Sequence, residues 1–191
     1  MKHILDKLFQ PKSIALVGAS DREHTVGYAL MQNLIKPNYK GVVYPVNIKH
    51  RTIAGHNAYK RVDTIPHPID LVIIATPAVT VPEVLEDCGK KQVLAVVIIS
   101  AGFKEIGAEG KKLLLRIEQI RQRFGIRIIG PNCFGFINTS IGLNATFGTQ
   151  DPLPGNIAFI SQSGALGATI LDWSEQQQFG FNHFVSVGSM I

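Results

Sequence analysis

Apolar, β-rich runs that stop at a small or polar residue and then give way to a helical pattern recur along this chain, and they constrain its fold more than any other feature. The first, Ser13-Ile14-Ala15-Leu16-Val17, ends at Gly18-Ala19-Ser20; Val26-Gly27 then opens a pattern with Leu30, Met31, Leu34 and Ile35 at helical spacing. Further strand-like runs lie at Gly41–Asn47, Asp70–Ala75 and Leu94–Ile99. Between them, Thr80-Val81-Pro82-Glu83 reads as a capping box with proline in the first turn, and Val84, Leu85 and Cys88 supply the buried stripe of that helix. Leu113, Ile117, Ile120 and Phe124 form the stripe of the helix before Gly125. Strands alternating with helices predict an α/β fold of the doubly wound, Rossmann-like kind over residues 1–131.

A Gly/Asn/Thr-rich stretch, residues 132–156, is expected to connect this unit to a second one, a β-α-β running over residues 157–191. A single β-α-β cannot cover both faces of its own sheet. With 191 residues, one good core and part of another can be buried, so the chain is expected to be a truncated piece of a two-domain protein.

Composition excludes several classes. The net charge of +5 comes largely from Lys111, Lys112, Arg116, Arg121 and Arg123, spread around one helix with Glu118 among them, a solvated face and not a nucleic-acid surface. Cys88 and Cys133 are too few and too far apart for a metal cluster or a disulfide framework, which fits reduced thiols in the cytoplasm. Cys88 sits at a core position, whereas Cys133, in a Pro-Asn-Cys turn, reads either as a packed small residue or as a functional one. Residues 1–10 form a short amphipathic lead-in with neither a signal h-region nor a membrane-length apolar run, so no membrane association is expected.

Two turns are candidate anion sites. Ile157-Ala158-Phe159-Ile160 delivers Ser161-Gln162-Ser163-Gly164-Ala165-Leu166 onto the start of an amphipathic helix. Free N–H groups and the helix dipole would favour a phosphoryl group there, with Ser161 and Ser163 as hydroxyl donors and Gly164 permitting close approach. The same residues also suit an ordinary helix N-cap. The second turn is Gly18 to Gly27, which departs from G-x-G-x-x-G because no glycine lies between the two. After the following strand, where a dinucleotide enzyme places an acid for the ribose, this chain has Asn47 and then Lys49-His50-Arg51. Either that cluster is a solvated basic loop, or the ligand carries a ribose phosphate, as NADP and coenzyme A both do.

Four motifs in order, Val17-Gly18-Ala19-Ser20, Tyr44-Pro45-Val46-Asn47 with Lys49, Ile129-Gly130-Pro131-Asn132-Cys133-Phe134-Gly135 and Ile160-Ser161-Gln162-Ser163-Gly164-Ala165-Leu166, resemble the NDP-forming acyl-CoA synthetases. That family includes ADP-forming acetate–CoA ligases, the succinyl-CoA synthetase α subunit and fused lysine acetyltransferases. The resemblance spans nearly the whole chain. It implies a CoA-binding Rossmann-like domain followed by the start of a flavodoxin-like ligase domain. Gly18, Ala19, Ser20 and Gly27 would then lie against the CoA pyrophosphate, and Val46, Asn47 and Lys49 would approach the ribose and its 3′-phosphate. Thr76-Pro77-Ala78 and Ser100-Ala101-Gly102 would line the path of the ligand, with Asn132 and Cys133 near the thiol. Ser161, Ser163, Gly164 and Ala165 would receive the phosphoryl group of a phosphohistidine.

The loop Asp21–Thr25 is longer than its counterpart in the succinyl enzyme. The family's nucleophilic histidine sits in a Ser-His-Thr-Gly-like segment, and no Ser-His pair occurs among these residues. His3 precedes the fold, His24 and His50 fall in ligand-facing loops, His56 and His67 in a connector, and His183 reads as an edge or surface residue. The resemblance therefore implies no catalytic residue within this chain. It implies that ATP or ADP and Mg are bound by an ATP-grasp domain or β subunit, in cis or in trans, and it leaves an oligomer open. A stand-alone CoA-binding regulatory module and an NADP-dependent reductase are the competing readings.

Overall fold

A computed structural model describes residues 4–191; His3 lies outside them. In chain order the elements are α1 (Ile4–Phe9), β1 (Ser13–Val17), α2 (Val26–Leu34), β2 (Val42–Val46), β3 (Thr52–Ile53), β4 (His56–Asn57), β5 (Leu71–Ile74), α3 (Val81–Lys90), β6 (Ala95–Ile98), α4 (Ala108–Phe124), β7 (Arg127–Ile129), β8 (Gly135–Asn138), β9 (Leu143–Thr146), β10 (Pro154–Ser161), α5 (Gly164–Gln177) and β11 (Phe181–Ser186). The first sheet has the order β2-β1-β5-β6-β7, and all of its pairings are parallel. The chain leaves β1 toward β2 on one side and returns to β5 on the other, so a crevice opens between the carboxyl ends of β1 and β5.

Parallel strands are buried on both faces, and here alternate residues feed two cores. Ala15, Val17, Val72, Ile74, Val96 and Ile98 pack on α3 and α4 through Val81, Leu85, Cys88, Leu114, Ile117 and Ile120. The opposite face, Ile14, Leu16, Ile73 and Val97, packs on Leu30, Met31 and Leu34 of α2 and also on Phe136, Leu143, Ala145 and Val185. The last four come from a second sheet of order β10-β11-β8-β9, in which β10 and β11 are parallel and the rest antiparallel. Helices thus cover both faces of the first sheet, as the doubly wound expectation requires. The stretch 132–156, expected to connect two units, carries the hairpin β8–β9, which serves as part of that cover. The far face of the second sheet meets α5 through Phe134, Ile137, Leu171, Phe181 and Phe184.

Two local expectations are corrected. Thr80 does not form a capping box with Glu83. Residues 78–80 make a 3₁₀ turn that leaves Thr80 itself helical (φ −90°, ψ −16°), whereas a capping residue needs extended backbone. Its hydroxyl instead donates to Thr76 Oγ1 and to the Pro77 carbonyl, each at 2.8 Å, while Glu83 accepts from Arg61 at 2.9 Å. His183 is not an edge residue: β11 lies between β10 and β8, and the imidazole meets the Phe9 ring edge-on at 6.2 Å.

Asn33 fastens the two sheets together. Buried on α2, its Nδ2 donates to the carbonyls of Thr146 and Gly148, both at 2.8 Å. Asn33→Ala should cost about 2–4 kcal/mol in urea unfolding, since two largely enclosed carbonyls lose their donor. Asn33→Asp should cost more, because a carboxylate would face those same carbonyls.

Candidate functional site

Short strands that stop in register put five turns side by side along the carboxyl edge of the first sheet. Gly18, Ala19 and Ser20 follow β1; Asn47 and Lys49 follow β2, whose last residue is Val46; Pro77 and Ala78 follow β5; Ala101 and Gly102 follow β6; Asn132 and Cys133 follow β7. Hydrogen bonds link the turns on each side of the β1–β5 crevice. Asn47 Nδ2 donates to the Ala19 carbonyl at 2.8 Å, Ser100 Oγ to the Thr76 carbonyl at 2.5 Å, and the Asn132 N–H to the Ser100 carbonyl at 2.9 Å. Asn47 Oδ1 meanwhile accepts the N–H groups of Lys49 and His50 at 2.8 and 3.0 Å. The Asn47 side chain thus shapes the basic loop, and the Lys49 and Arg51 side chains are left exposed.

The β1–α2 junction depends on two missing side chains. Gly18 has φ +91°, and a Cβ there would lie 2.8 Å from the Ala75 carbonyl oxygen. A Cβ on Gly27 would lie 1.9 Å from the Gly18 carbonyl oxygen, so α2 begins in direct contact with the turn. Gly27 therefore supplies the close helix–strand approach that the last glycine of G-x-G-x-x-G normally provides, at a longer spacing. The intervening loop is anchored by Asp21, whose Oδ1 accepts the Ala54 N–H at 2.8 Å, and Thr25 caps α2 by accepting the Tyr28 N–H at 3.2 Å.

Across from these turns stands the start of α5. Ser163 is its N-cap and accepts the Leu166 N–H at 3.2 Å; Ser161 Oγ accepts the Ser163 N–H at 3.1 Å. Both hydroxyl oxygens are engaged locally, so the capping reading of this turn holds. The N–H groups just after those caps, at Val26–Gly27 on α2 and at Gly164–Ala165 on α5, have no intrahelical acceptor. Gly164 also packs closely: a Cβ there would come within 3.3 Å of Phe134 Cβ, a tight contact.

A cleft of about 640 Å³ joins the two halves. It brings together Thr76, Ala101, Asn132, Cys133, Ser163, Gly164 and Ala165 with the first residue of α2, Val26. Gly18, Ala19, Ser20, Gly27, Val46, Asn47, Lys49, Pro77, Ala78, Gly102 and Ser161 do not line it; apart from Ser161, Gly27 in α2 and Val46 at the end of β2, they belong to the neighbouring turns of the same sheet edge. Sequence reading missed the apolar wall, Phe134, Phe147 and Ala168, and it missed Glu105. The Glu105 carboxylate accepts from Asn132 Nδ2 at 2.5 Å and from the Phe103 N–H at 2.7 Å, holding the Asn132 turn. No local signal marks these residues, because the wall residues reach the cleft, and Glu105 reaches Asn132, only through tertiary packing.

Cys133 is buried, and its thiol donates to the Ile98 carbonyl at 3.3 Å. Burial pushes that thiol up to about 12, and burial raises Cys88 as well.

The family described as "CoA binding domain" matches residues 12–139, and the "Succinyl-CoA ligase like flavodoxin domain" matches residues 154–191. The α subunit of acetate–CoA ligase [ADP-forming] I of Pyrococcus furiosus is 48% identical over 189 residues, covering 97% of this chain and 41% of the relative. Acetate–CoA ligase [ADP-forming] I of Archaeoglobus fulgidus is 47% identical over 185 residues, covering 97% of this chain and 27% of the relative. The apo structure of Ca. Korarchaeum cryptofilum dinucleotide forming acetyl-coenzyme A synthetase 1 superposes with a TM-score of 0.92 at 39% identity, over 97% of this chain and 40% of that one. The chain thus spans well under half the length of each. No helix among the described residues is long and apolar enough to cross a membrane.

At pH 8 a thiol with a pKa near 12 is ionised in only about one molecule in ten thousand. Neither cysteine should react with a disulfide-exchange reagent in the native protein, and both should react in guanidinium chloride. Rapid labelling of native Cys133 would show the thiol to be open to the cleft.

Proposed function

The chain belongs to the CoA-binding domain family, and from that premise we propose that it is the CoA-binding portion of an NDP-forming acyl-CoA synthetase. The whole protein would convert an acid, CoA and ATP to acyl-CoA, ADP and phosphate, with the phosphohistidine and the ATP-grasp domain or β subunit outside these residues. A single observation carries the reading: one cleft sets the Asn132–Cys133 turn of the first sheet against the unsatisfied N-terminus of α5. A ligand lying along the sheet edge would there meet an anion held by the second unit. Such a meeting is what acyl transfer to a thiol through an acyl phosphate requires.

Each residue then has a role. The β1–α2 junction, at Gly18, Ala19, Ser20 and Gly27, offers backbone N–H groups to the pyrophosphate at a helix N-terminus. Val46 and Asn47 shape the ribose end, and Lys49, exposed and free of ion pairs among the described residues, supplies the charge for the 3′-phosphate. Pro77, Ala78, Ala101 and Gly102 present small surfaces along the pantetheine path. Asn132 orients the thiol end, and Cys133 packs beneath it as a small apolar residue, not as a nucleophile. Ser163, Gly164 and Ala165 would hold the phosphoryl group through the open end of α5, with Ser161 bracing Ser163. CoA itself supplies the thiol that accepts the acyl group. The domain division accompanying this reading is 1–131 for CoA, 132–156 as the link and 157–191 as the opening of the ligase domain, in a cytoplasmic protein.

A charge-assisted contact to one phosphate contributes about 1.5–3 kcal/mol, roughly ten- to a hundredfold in affinity. Calorimetry should find CoA bound that much more tightly than 3′-dephospho-CoA, and Lys49→Ala should remove the difference. Equal affinities in the unaltered chain would exclude Lys49 as the phosphate contact, and failure to bind CoA at all would sink the reading.

A further inference from the structure

The turn that follows β6 reaches across to the turn that follows β7, and the contact between them has a chemical direction. Glu105 stands in the 3₁₀ turn 104–106, just past Phe103, which is fully buried in the core beneath α3 and α4. Both of its carboxylate oxygens are engaged: Oε2 accepts the Phe103 N–H at 2.7 Å, and Oε1 accepts from Asn132 Nδ2 at 2.5 Å. Asn132 lines the 640 Å³ cleft with φ +54°. Its backbone is held without help from Glu105, since its own N–H donates to the Ser100 carbonyl at 2.9 Å and the Pro131 carbonyl accepts the Ser189 N–H at 2.9 Å. What Glu105 adds is the orientation of the amide, not the course of the chain. A carboxylate can only accept, so it takes the NH₂ end of an amide and never the oxygen. With Nδ2 committed, the end of the Asn132 amide left over is Oδ1, an acceptor with no partner among the described residues. A ligand group that meets it must donate, and the pantetheine arm of CoA carries such donors in its amide N–H groups, the last of them next to the thiol-bearing ethylene.

We infer that Glu105 is a positioning residue for the thiol end of CoA: it fixes the Asn132 amide so that its oxygen, and not its nitrogen, is offered to the last pantetheine N–H. The inference rests on the reading of the cleft as the thiol end of the CoA site. It adds the residue that sets the polarity of that contact.

Glu105→Gln keeps the shape of the side chain and removes its one-way polarity. A glutamine whose oxygen still accepts the Phe103 N–H turns its NH₂ toward Asn132, so the Asn132 amide must invert and bring a donor to face a donor. Calorimetry of the 191-residue chain should find CoA bound about three- to tenfold more weakly after Glu105→Gln, the worth of one hydrogen bond. The affinity for 3′-phosphoadenosine 5′-diphosphate, which is CoA without its pantetheine arm, should not change. Asn132→Gly suits the positive φ and deletes the amide; in that background Glu105→Gln should have no further effect on CoA. Equal weakening of both ligands would reduce Glu105 to a structural support, and weakening that persists beside Asn132→Gly would mean that it acts by another route. Either result overturns the inference, as does an unchanged CoA affinity after Glu105→Gln, and in all three cases the CoA reading stands. If the unaltered chain does not bind CoA, the reading and the inference fall together.

Discussion

The demand that a parallel sheet be buried on both faces organises this molecule. One face is covered in the ordinary way, by α3 and α4. The other is too wide for α2 with the short α1, and the remaining area is closed by residues of the second sheet: Phe136, Leu143, Ala145 and Val185. Burial at about 25 cal/mol per Å² makes such shared apolar contact strong and indifferent to direction. Direction comes from polar groups, above all Asn33, whose two hydrogen bonds fix where the hairpin sits along α2. Because β8 and β9 are held there, the strand and helix that follow have a determined position too, and α5 begins opposite the carboxyl edge of the first sheet.

The chemistry of the cleft is a result of that placement. Neither helix N-terminus would be exceptional alone, being worth about 0.3–1 kcal/mol to an exposed anion. Their value lies in converging on one partly enclosed space, where the field of each is less screened by water. The turns on either side of the β1–β5 crevice are tied to their neighbours through Asn47 on one side and Ser100 and Asn132 on the other, so those turns need little ordering when a ligand arrives.

The alternation of strand and helix, the order of the four motifs and the helix starts at Val26 and Gly164 were all legible in the chain. Continuous apolar runs closed by glycine or serine leave few alternatives. Two kinds of feature escaped. One was the hairpin β8–β9: its residues, among them Gly135, Asn138, Asn144 and Thr146, lack the sustained apolar run that marks a buried strand. Their buried polar side chains are tolerated because, within β9, the Thr146 N–H and hydroxyl both donate to Asn144 Oδ1. The other was the cleft wall. Phe147 sits in a stretch rich in glycine and threonine, and nothing local says that its ring crosses to Phe134. Asn47 shows a subtler gap: its position at the carboxyl end of β2 was foreseen, whereas its work as the bracket holding the basic loop needed the hydrogen-bond partners to be seen.

Helix α2 is pinned at each end, by the Gly18 contact at its start and by Asn33 near its finish. Swinging the two sheets apart would have to break the Asn33 hydrogen bonds and open the shared apolar core in the same movement. The cleft therefore behaves as a fixed mould and not as a jaw, and it pays no conformational toll for being competent. On the CoA reading proposed above, ligand arrival on this half would be governed by diffusion and by the attraction between a polyanion and a basic edge, so its rate should fall with added salt.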